Sequence, residues 1–336
     1  MADFTSFPSE ADVVSHWRGP LDQPLVTLVC ICFEHEPYVE STLKSFVEQI
    51  SSFAFEIILY DDCSTDGTRS ILREFAMRYP SITHLVLPDT NQLSQGKRPL
   101  FDLVLPHSRG RYVARLEGDD FWTDPSKIQQ QVEFLEAHPE YALVTHDVAT
   151  IESDGQMKDH KWLPDFYKRD FSREEVMLGW AGPTTQSVLF RNVIRDIPQE
   201  MRLSPSEDVF LGALLGKYGK CKYLPHISPS MYRHHSGGIF TSIPSAEQNH
   251  MQVCILFGLY CYYRRIGQHH QARVLKLRYL ERVLRCTSLP EMLKILRVRL
   301  FGHPSRGIFR FHTSRQSLMV PKINRQKGVR ATPSGH

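Results

Sequence analysis

Phe55-Glu56-Ile57-Ile58-Leu59-Tyr60-Asp61-Asp62-Cys63-Ser64-Thr65-Asp66-Gly67-Thr68 passes without a break from an apolar run into an acidic turn. A short apolar run bounded by turn residues reads as a strand buried on both faces. Asp66-Gly67-Thr68 then opens a helix with Ile71, Leu72, Phe75 and Tyr79 on one face and Pro80 as its stop. The same grammar recurs downstream, where Tyr112–Leu116 reads as a strand and runs directly into Glu117-Gly118-Asp119-Asp120. Carboxylates at the carboxyl ends of parallel strands lie where open α/β sheets take their ligands. A Glu-x-Asp-Asp group of hard oxygen donors suits a divalent cation held against a diphosphate.

Working outward, Leu25–Cys32 is a continuous apolar run, followed by Phe33-Glu34-His35-Glu36-Pro37 and a helix with Leu43, Phe46, Val47 and Ile50 on one face. His84–Leu87 reads as a third strand, and a helix over Ser126–Ala137 leads to a strand at Tyr141–Thr145. Alternation of this kind implies right-handed crossovers and a mainly parallel sheet, an α/β fold. The second half is more mixed, with strands expected at Ser187–Phe190 and Lys222–Leu224 around a helix at Glu207–Lys217. From Asn249 to Leu300 the pattern is helical, basic and rich in Tyr and Leu. These patterns divide the chain into an N-terminal segment (1–24), an α/β domain (25–245), a basic helical extension (246–305) and a tail (306–336) whose Arg, Ser, Pro and Gly content predicts disorder.

The 336 residues carry a formal net charge of +3, which hides an asymmetry. From Met251 onward there are 17 Lys and Arg against 2 acids, whereas the first 250 residues hold 23 basic and 35 acidic side chains. An acidic body with a basic tail predicts that the tail seeks an anionic surface. Nucleic acid is not the expected partner, because no nucleic-acid fold signature accompanies the charge. The seven cysteines form no framework and no Cys-x-x-Cys occurs, which points to a reducing compartment and away from structural zinc. Met1–Trp17 lacks the pattern of a signal peptide, and the longest apolar stretch, Met251–Tyr263, is too short to span a bilayer. The expectation is a cytoplasmic protein, peripheral on a membrane.

Four segments together resemble the family 2 glycosyltransferases of the GT-A fold: Val26–Glu34, the Asp-Asp-x-Ser-x-Asp-Gly-Thr run at Asp61–Thr68, Glu117–Asp120, and Pro205-Ser206-Glu207-Asp208. The resemblance extends over Leu25–Ile239. It implies a GT-A fold and an enzyme that moves a sugar from a nucleotide diphosphate, a UDP-sugar, to an acceptor hydroxyl with Mn²⁺ or Mg²⁺. Its relatives assemble bacterial O-antigen or capsule on lipid carriers, so the implied acceptor is a glycan, lipid-linked.

The resemblance also implies residue roles. Cys32 and Glu34 fall on the nucleotide-binding turn, and Asp62 reads the uracil N3–H, a donor that a carboxylate accepts well. Asp61 and Asp66 have the alternative of forming turns and capping the next helix. Asp120 is the implied direct metal ligand, with Glu117 and Asp119 on ribose, sugar or metal; Glu117 stands where the family more often has Asp. Asp208 is the implied general base for in-line displacement with inversion, and Glu207 the alternative base. Both acids also suit a helix N-terminus on dipole grounds alone. In Tyr232-Arg233-His234-His235-Ser236-Gly237-Gly238, His235 aligns with a histidine near metal and pyrophosphate, and Arg98 lies where relatives place a base toward the diphosphate. Phe121-Trp122 either stacks on a sugar face or packs in the core.

In the tail, Arg264, Arg265, Arg273, Lys276, Arg278, Arg282 and Arg285 alternate with aromatic and aliphatic residues, which suits an anionic membrane surface or, alternatively, a helical bundle packed on the catalytic domain. Two competing functions are a nucleotidyltransferase and a non-catalytic membrane-associated scaffold. The first predicts a glycine-rich phosphate loop with a basic residue near the first strand, and Cys30–Pro37 contains neither.

Overall fold

The first strand, β1 (Val26–Cys32), is buried along nearly its whole length and has a parallel partner on each side. These are β2 (Phe55–Asp61) and β4 (Tyr112–Glu117), with β3 (Thr83–Val86) outside β2. The architecture comes from a computed structural model, which describes residues 3–159, 162–238 and 243–287. In register, Cys32 lies opposite Asp61 and Ile31 opposite Glu117, so both acidic segments leave the sheet at the same edge, on either side of β1.

Helices α2 (Val39–Val47), α3 (Thr68–Arg78) and α4 (Lys127–Ala137) supply the crossovers; α2 and α3 bury aliphatic and aromatic side chains, and α4 buries Ile128, Val132 and Leu135. Helix α2 ends at Val47, so Ile50 lies beyond it and is 58% exposed rather than inward. The sheet is less parallel than the alternation predicts. β8 (Leu189–Arg191) runs antiparallel between β4 and β5 (Tyr141–Thr145), and β9 (Lys220–Tyr223) closes the edge parallel to β5. β8 has three residues, too few for its direction to show in a period-2 pattern.

A second, three-stranded sheet holds β6 (Val148–Glu152) between β7 (Met157–Asp159) and β10 (Ser230–His234). It is pinned to the main domain by reciprocal backbone bonds between Phe121 and Met231, at 3.3 and 2.9 Å. The N-terminal residues add to the domain instead of standing apart. Phe4, Phe7 and Val13 of α1 (Glu10–Val14) and its lead-in join the same core cluster as β1, and Tyr79 Oη donates to Pro8 O at 2.5 Å.

Helix α5 (Arg173–Met177) and α6 (Glu207–Leu215) line the other flank, where α7 (Ser245–Arg265) and α8 (His269–Cys286) form an antiparallel hairpin. Ile255, Leu259, Tyr263 and Leu275 of the hairpin belong to one cluster with Phe210 and Leu214 of α6. Tyr263 Oη donates to Ala213 O at 2.8 Å, and Arg265 makes a two-pronged bond to Glu200 at 2.6 and 2.9 Å. The described part of the basic extension thus packs on the catalytic domain through one face, the bundle alternative. Residues 288–305 of that extension and the tail 306–336 lie outside the described residues.

Candidate active site

Two turns meet at the ends of β1 and β2. Glu34 and Cys63, with φ of 57° and 66°, are the positive-φ non-glycine residues among those described, one in each turn. Such backbone is uncommon outside glycine and persists where surrounding bonds over-determine it. Those bonds are present. Glu34 Oε1 accepts from Thr65 N at 2.7 Å and Thr65 Oγ1 at 2.9 Å, and Ser64 Oγ accepts from Glu34 N at 2.9 Å. Thr68 Oγ1 accepts from His35 N, Asp66 Oδ2 from Glu36 N, and Glu36 Oε2 from Gly67 N, at 2.9, 3.0 and 2.8 Å. The turns are zipped together, and Glu34 and Asp66 are part of the zip.

Asp61 is wholly buried and accepts from Ser64 N at 3.0 Å and Arg69 Nε at 2.8 Å, a turn-forming role. Asp62 accepts from Tyr60 Oη (2.6 Å), Gln92 N (2.7 Å) and Leu93 N (3.1 Å). Its carboxylate therefore anchors the 90–93 segment, and reading a base would fall to the remaining lone pair. Cys32 is placed differently from the donor-contact expectation. Its thiol is fully buried, 3.4 Å from Cys30 Sγ, and sits under Gly118 against the His35 ring. It supports the site from behind.

At the end of β4 the acids separate by direction. Asp120 was the expected direct metal ligand, and here the structure differs. Its side chain is fully buried, accepting from Gln186 Nε2 at 2.6 Å and Arg233 N at 2.8 Å, with its own O taken by Thr42 Oγ1. Burial and the adjacent Asp119 push its pKa far above the carboxylate range. Asp120 is the clasp that holds β10 to this turn. Arg233 Nε strengthens the clasp by donating to Asp119 O at 3.0 Å.

The clasp brings His235 to Asp119. His235 Nε2 lies 2.9 Å from Asp119 Oδ2, and His35 Nε2, from the first turn, lies 3.6 Å from the same oxygen. One ligand atom from each of these three residues falls within 4.8 Å of the others. Asp119 is 9% exposed, and its other oxygen, Oδ1, is buried with no hydrogen-bond partner. An orphaned buried carboxylate oxygen beside two imidazoles is the donor chemistry of a divalent cation site, so these residues fit such an ion. Burial raises the pKa of Asp119, but the bond to His235 and the charge of His35 outweigh it and hold the group below its usual value.

Arg115, which the sequence reading passed over, links the two acidic motifs. It sits in β4 at 4% exposure, with Nη1 2.5 Å from Asp208 Oδ1 and Nη2 3.2 Å from Glu117 Oε1. Burial raises Glu117 to about 8 against the opposing pull of Arg115. Glu207, at the start of α6, has Oε1 buried without a partner, and burial raises it to about 7, with Arg115 opposing. Asp208 is more open, with 39% of its side chain exposed. Arg98 turns its guanidinium to the carbonyls of Arg202 and Ser204, beside Glu207. Trp122 is core rather than a sugar platform. It is 4% exposed, donates from Nε1 to Gln186 O at 2.9 Å, and carries Lys127 Nζ over its ring at 4.0 Å.

His35 and Arg115 were the omissions. The signals were present: a histidine inside the nucleotide turn and a single cation in an apolar strand, Tyr112-Val113-Ala114-Arg115-Leu116. A charge in such a run stays buried only if paired.

An α/β sheet ordered β3-β2-β1-β4, with acids at the strand ends on both sides of β1, defines the GT-A class of nucleotide-sugar transferase folds. The chain belongs to glycosyl transferase family 2, whose family model matches residues 27–197. It is 36% identical over 219 residues to the uncharacterized protein Rv1520 of Mycobacterium tuberculosis, a match covering 65% of this chain and 61% of that one. The match thus spans about three fifths of that relative's length. It is 28% identical over 112 residues to UDP-Glc:alpha-D-GlcNAc-diphosphoundecaprenol beta-1,3-glucosyltransferase WfaP of Escherichia coli, covering 33% of this chain and 41% of that one. Among solved structures, the mannosyltransferase PcManGT of Pyrobaculum calidifontis, in complex with GDP-Man and Mn²⁺, superposes with a TM-score of 0.52 at 16% identity, over 87% of this chain and 86% of that one. At that identity the likeness speaks for the fold alone.

Proposed function

We propose that the chain is an inverting glycosyltransferase that moves a sugar from a nucleotide diphosphate, a UDP-sugar, to an acceptor hydroxyl. The observation that carries this reading is the meeting of Asp119, His235 and the Arg115-bridged Glu117–Asp208 pair at one edge of the sheet. The zipped turns at Glu34 and Thr65 form the donor's platform. Asp119 and His235 would hold a divalent cation, which when bound would neutralise negative charge on the diphosphate as a Lewis acid. Arg115, from β4, keeps Asp208 in the first turn of α6 oriented while leaving its outer oxygen open to an acceptor hydroxyl. Asp208 takes the acceptor's proton as that oxygen attacks the sugar's C1 and the nucleotide departs from the opposite face. A second reading has one specific observation in its favour: Glu207, raised to about 7, is poised to exchange a proton near neutral pH.

The acceptor we infer is a growing surface glycan on a lipid carrier; the name of WfaP gives alpha-D-GlcNAc-diphosphoundecaprenol as the acceptor of that relative. Helix α8 supports a membrane setting. Leu277, Leu280 and Leu284 are 61, 42 and 55% exposed on one stripe, with exposed Arg273 and Lys276 on one side and the Glu281–Arg285 ion pair (2.6 Å) on the other. An apolar stripe with a basic margin suits an anionic bilayer surface. Among the described residues no helix is long and apolar enough to cross a membrane.

The deciding experiment measures UDP release from a panel of UDP-sugars with an acceptor extract. Asp208→Asn should lower kcat about 10²–10⁴-fold, the usual worth of a general base, with donor affinity retained. Full turnover by both Asp208→Asn and Glu207→Gln would refute the assignment.

A further inference from the structure

We propose that His35 is a third protein ligand to the cation, making an Asp119–His35–His235 set that selects Mn²⁺, Co²⁺ or Zn²⁺ and rejects Mg²⁺. This rests on the reading above that Asp119 and His235 hold a metal, and it adds the ligand that sets which metal.

Geometry comes first. Metal–nitrogen and metal–oxygen bonds of about 2.1 Å put neighbouring ligand atoms about 3–3.5 Å apart. Asp119 Oδ2 stands 2.9 Å from one imidazole nitrogen and 3.6 Å from the other. All three ligand atoms fall within 4.8 Å. A cation could enter with adjustments smaller than a rotamer change. The orphaned Asp119 Oδ1, buried without a partner, supplies an additional oxygen.

Orientation comes second. His35 has only 14% of its side chain exposed, and its two nitrogens face different things. Nε2 points at Asp119, while the Nδ1 side abuts the Cys32 thiol. A Cβ built on Gly118 would lie 2.6 Å from Cys32 Sγ and 2.7 Å from His35 Nδ1, so a glycine there is what lets the ring sit against the thiol. Nδ1 itself is buried without a hydrogen-bond partner, so the ring is held by packing against Cys32 and Gly118, with Nε2 left facing the carboxylate. The backbone is fixed as well, since Thr68 Oγ1 accepts from His35 N within the zip. On the other side, the Tyr38 ring lies 4.8 Å from that of His235.

Donor type then decides the ion. Mg²⁺ takes oxygen ligands and keeps its waters, whereas imidazole nitrogen suits the first-row transition ions. Two imidazoles and one carboxylate on one side of the ion leave the opposite positions open, the pattern of transition-metal sites that bind a further ligand. Diphosphate oxygens would fill those positions. The ligands also come from three separate segments (the β1 turn, the β4 turn and the residue after β10), so a bound ion would cross-link both sheets.

The test uses the full chain freed of metal and the metals alone. Mn²⁺ binding is followed by loss of the free-ion electron paramagnetic resonance signal, and Co²⁺ binding by its visible absorption, with Mg²⁺ as competitor. The expected result is binding of Mn²⁺ and Co²⁺ that a hundredfold excess of Mg²⁺ does not displace, with imidazole nitrogen from two rings coupled to bound Mn²⁺. His35→Asn should weaken Mn²⁺ and Co²⁺ by at least about 10–100-fold, since losing only the outer-shell partner of a metal-ligating histidine already costs that much, and should remove one coupled ring while Mg²⁺ affinity changes little. Thermal unfolding of the metal-free variant should stay within a few degrees of the parent, which separates ligation from folding. If Asp119→Asn abolishes Mn²⁺ binding but His35→Asn leaves both affinity and ring count unchanged, the proposal for His35 is overturned and the two-ligand metal reading stands. If the unaltered chain binds none of these ions even with UDP present, both are overturned.

Discussion

Replacing Glu207 by Gln should make the protein more stable at pH 8 and no more stable at pH 4. Glu207 Oε1 is buried without a partner, and burial lifts the group from an ordinary 4.5 to about 7. In the unfolded chain the carboxyl loses its proton near 4.5; in the folded chain it keeps it until about 7. Below 4.5 both states are protonated and the group contributes no pH dependence. Between 4.5 and 7 the unfolded state alone ionises, so stability falls through this window and levels off above it. At 1.36 kcal/mol per pH unit the full loss is about 3 kcal/mol. Water at the open edge of the site screens part of it, leaving about 2 kcal/mol. Gln has the shape of the protonated acid and never ionises, so the variant should escape that loss. Urea unfolding of both proteins from pH 4 to pH 8, without divalent cations, reads the difference directly. A difference that stays constant across the range, or a variant less stable than its parent at pH 8, would refute the reasoning. Should Glu207 also serve as the base, the same substitution would trade turnover for stability.

Arg115→Met should destabilise the fold by about 3 kcal/mol, since removing one member of a buried ion network strands its partners. The loss should be larger at pH 8 than at pH 5, where Glu117 and Glu207 can take up protons instead, and urea titrations at the two values check this. Gly118→Ala should cost about 1–3 kcal/mol by overpacking Cys32 and His35 and should lower Mn²⁺ affinity; unchanged affinity would mean the His35 ring is not held as described. Changing Leu277, Leu280 and Leu284 together to Gln should cut sedimentation with phosphatidylglycerol vesicles at least tenfold while shifting the urea midpoint little, because surface substitutions each act within about 0.5 kcal/mol. Equal sedimentation would remove the membrane role of α8.

Much of the framework was legible because it depends on local pattern. Apolar runs such as Phe55–Tyr60 and the acids that follow them dictate strand and turn with little help from distant residues. The short β8 was legible as a strand but not in its direction, which is set by its neighbours. Within the site, the choice between Asp119 and Asp120 was beyond spacing arguments. Turn residues follow no fixed alternation, and only the position of β10, more than a hundred residues on, shows that Asp120 faces Gln186 and Arg233. Cys32 misled, and Trp122 stayed undecided, for a similar reason. Each lies next to functional positions in the chain, yet both are turned into the core.

The helical hairpin has a consequence for anyone trimming the molecule. Tyr263 and Arg265 fasten α7 to Ala213 and Glu200, and the hairpin's aliphatic side chains cover the flank of α6. A fragment cut before Ser245 would lay that flank bare and invite clumping, so the catalytic half does not come away cleanly. The same fastening makes the hairpin a handle: a force applied to it pulls on the helix whose first turn carries Glu207 and Asp208.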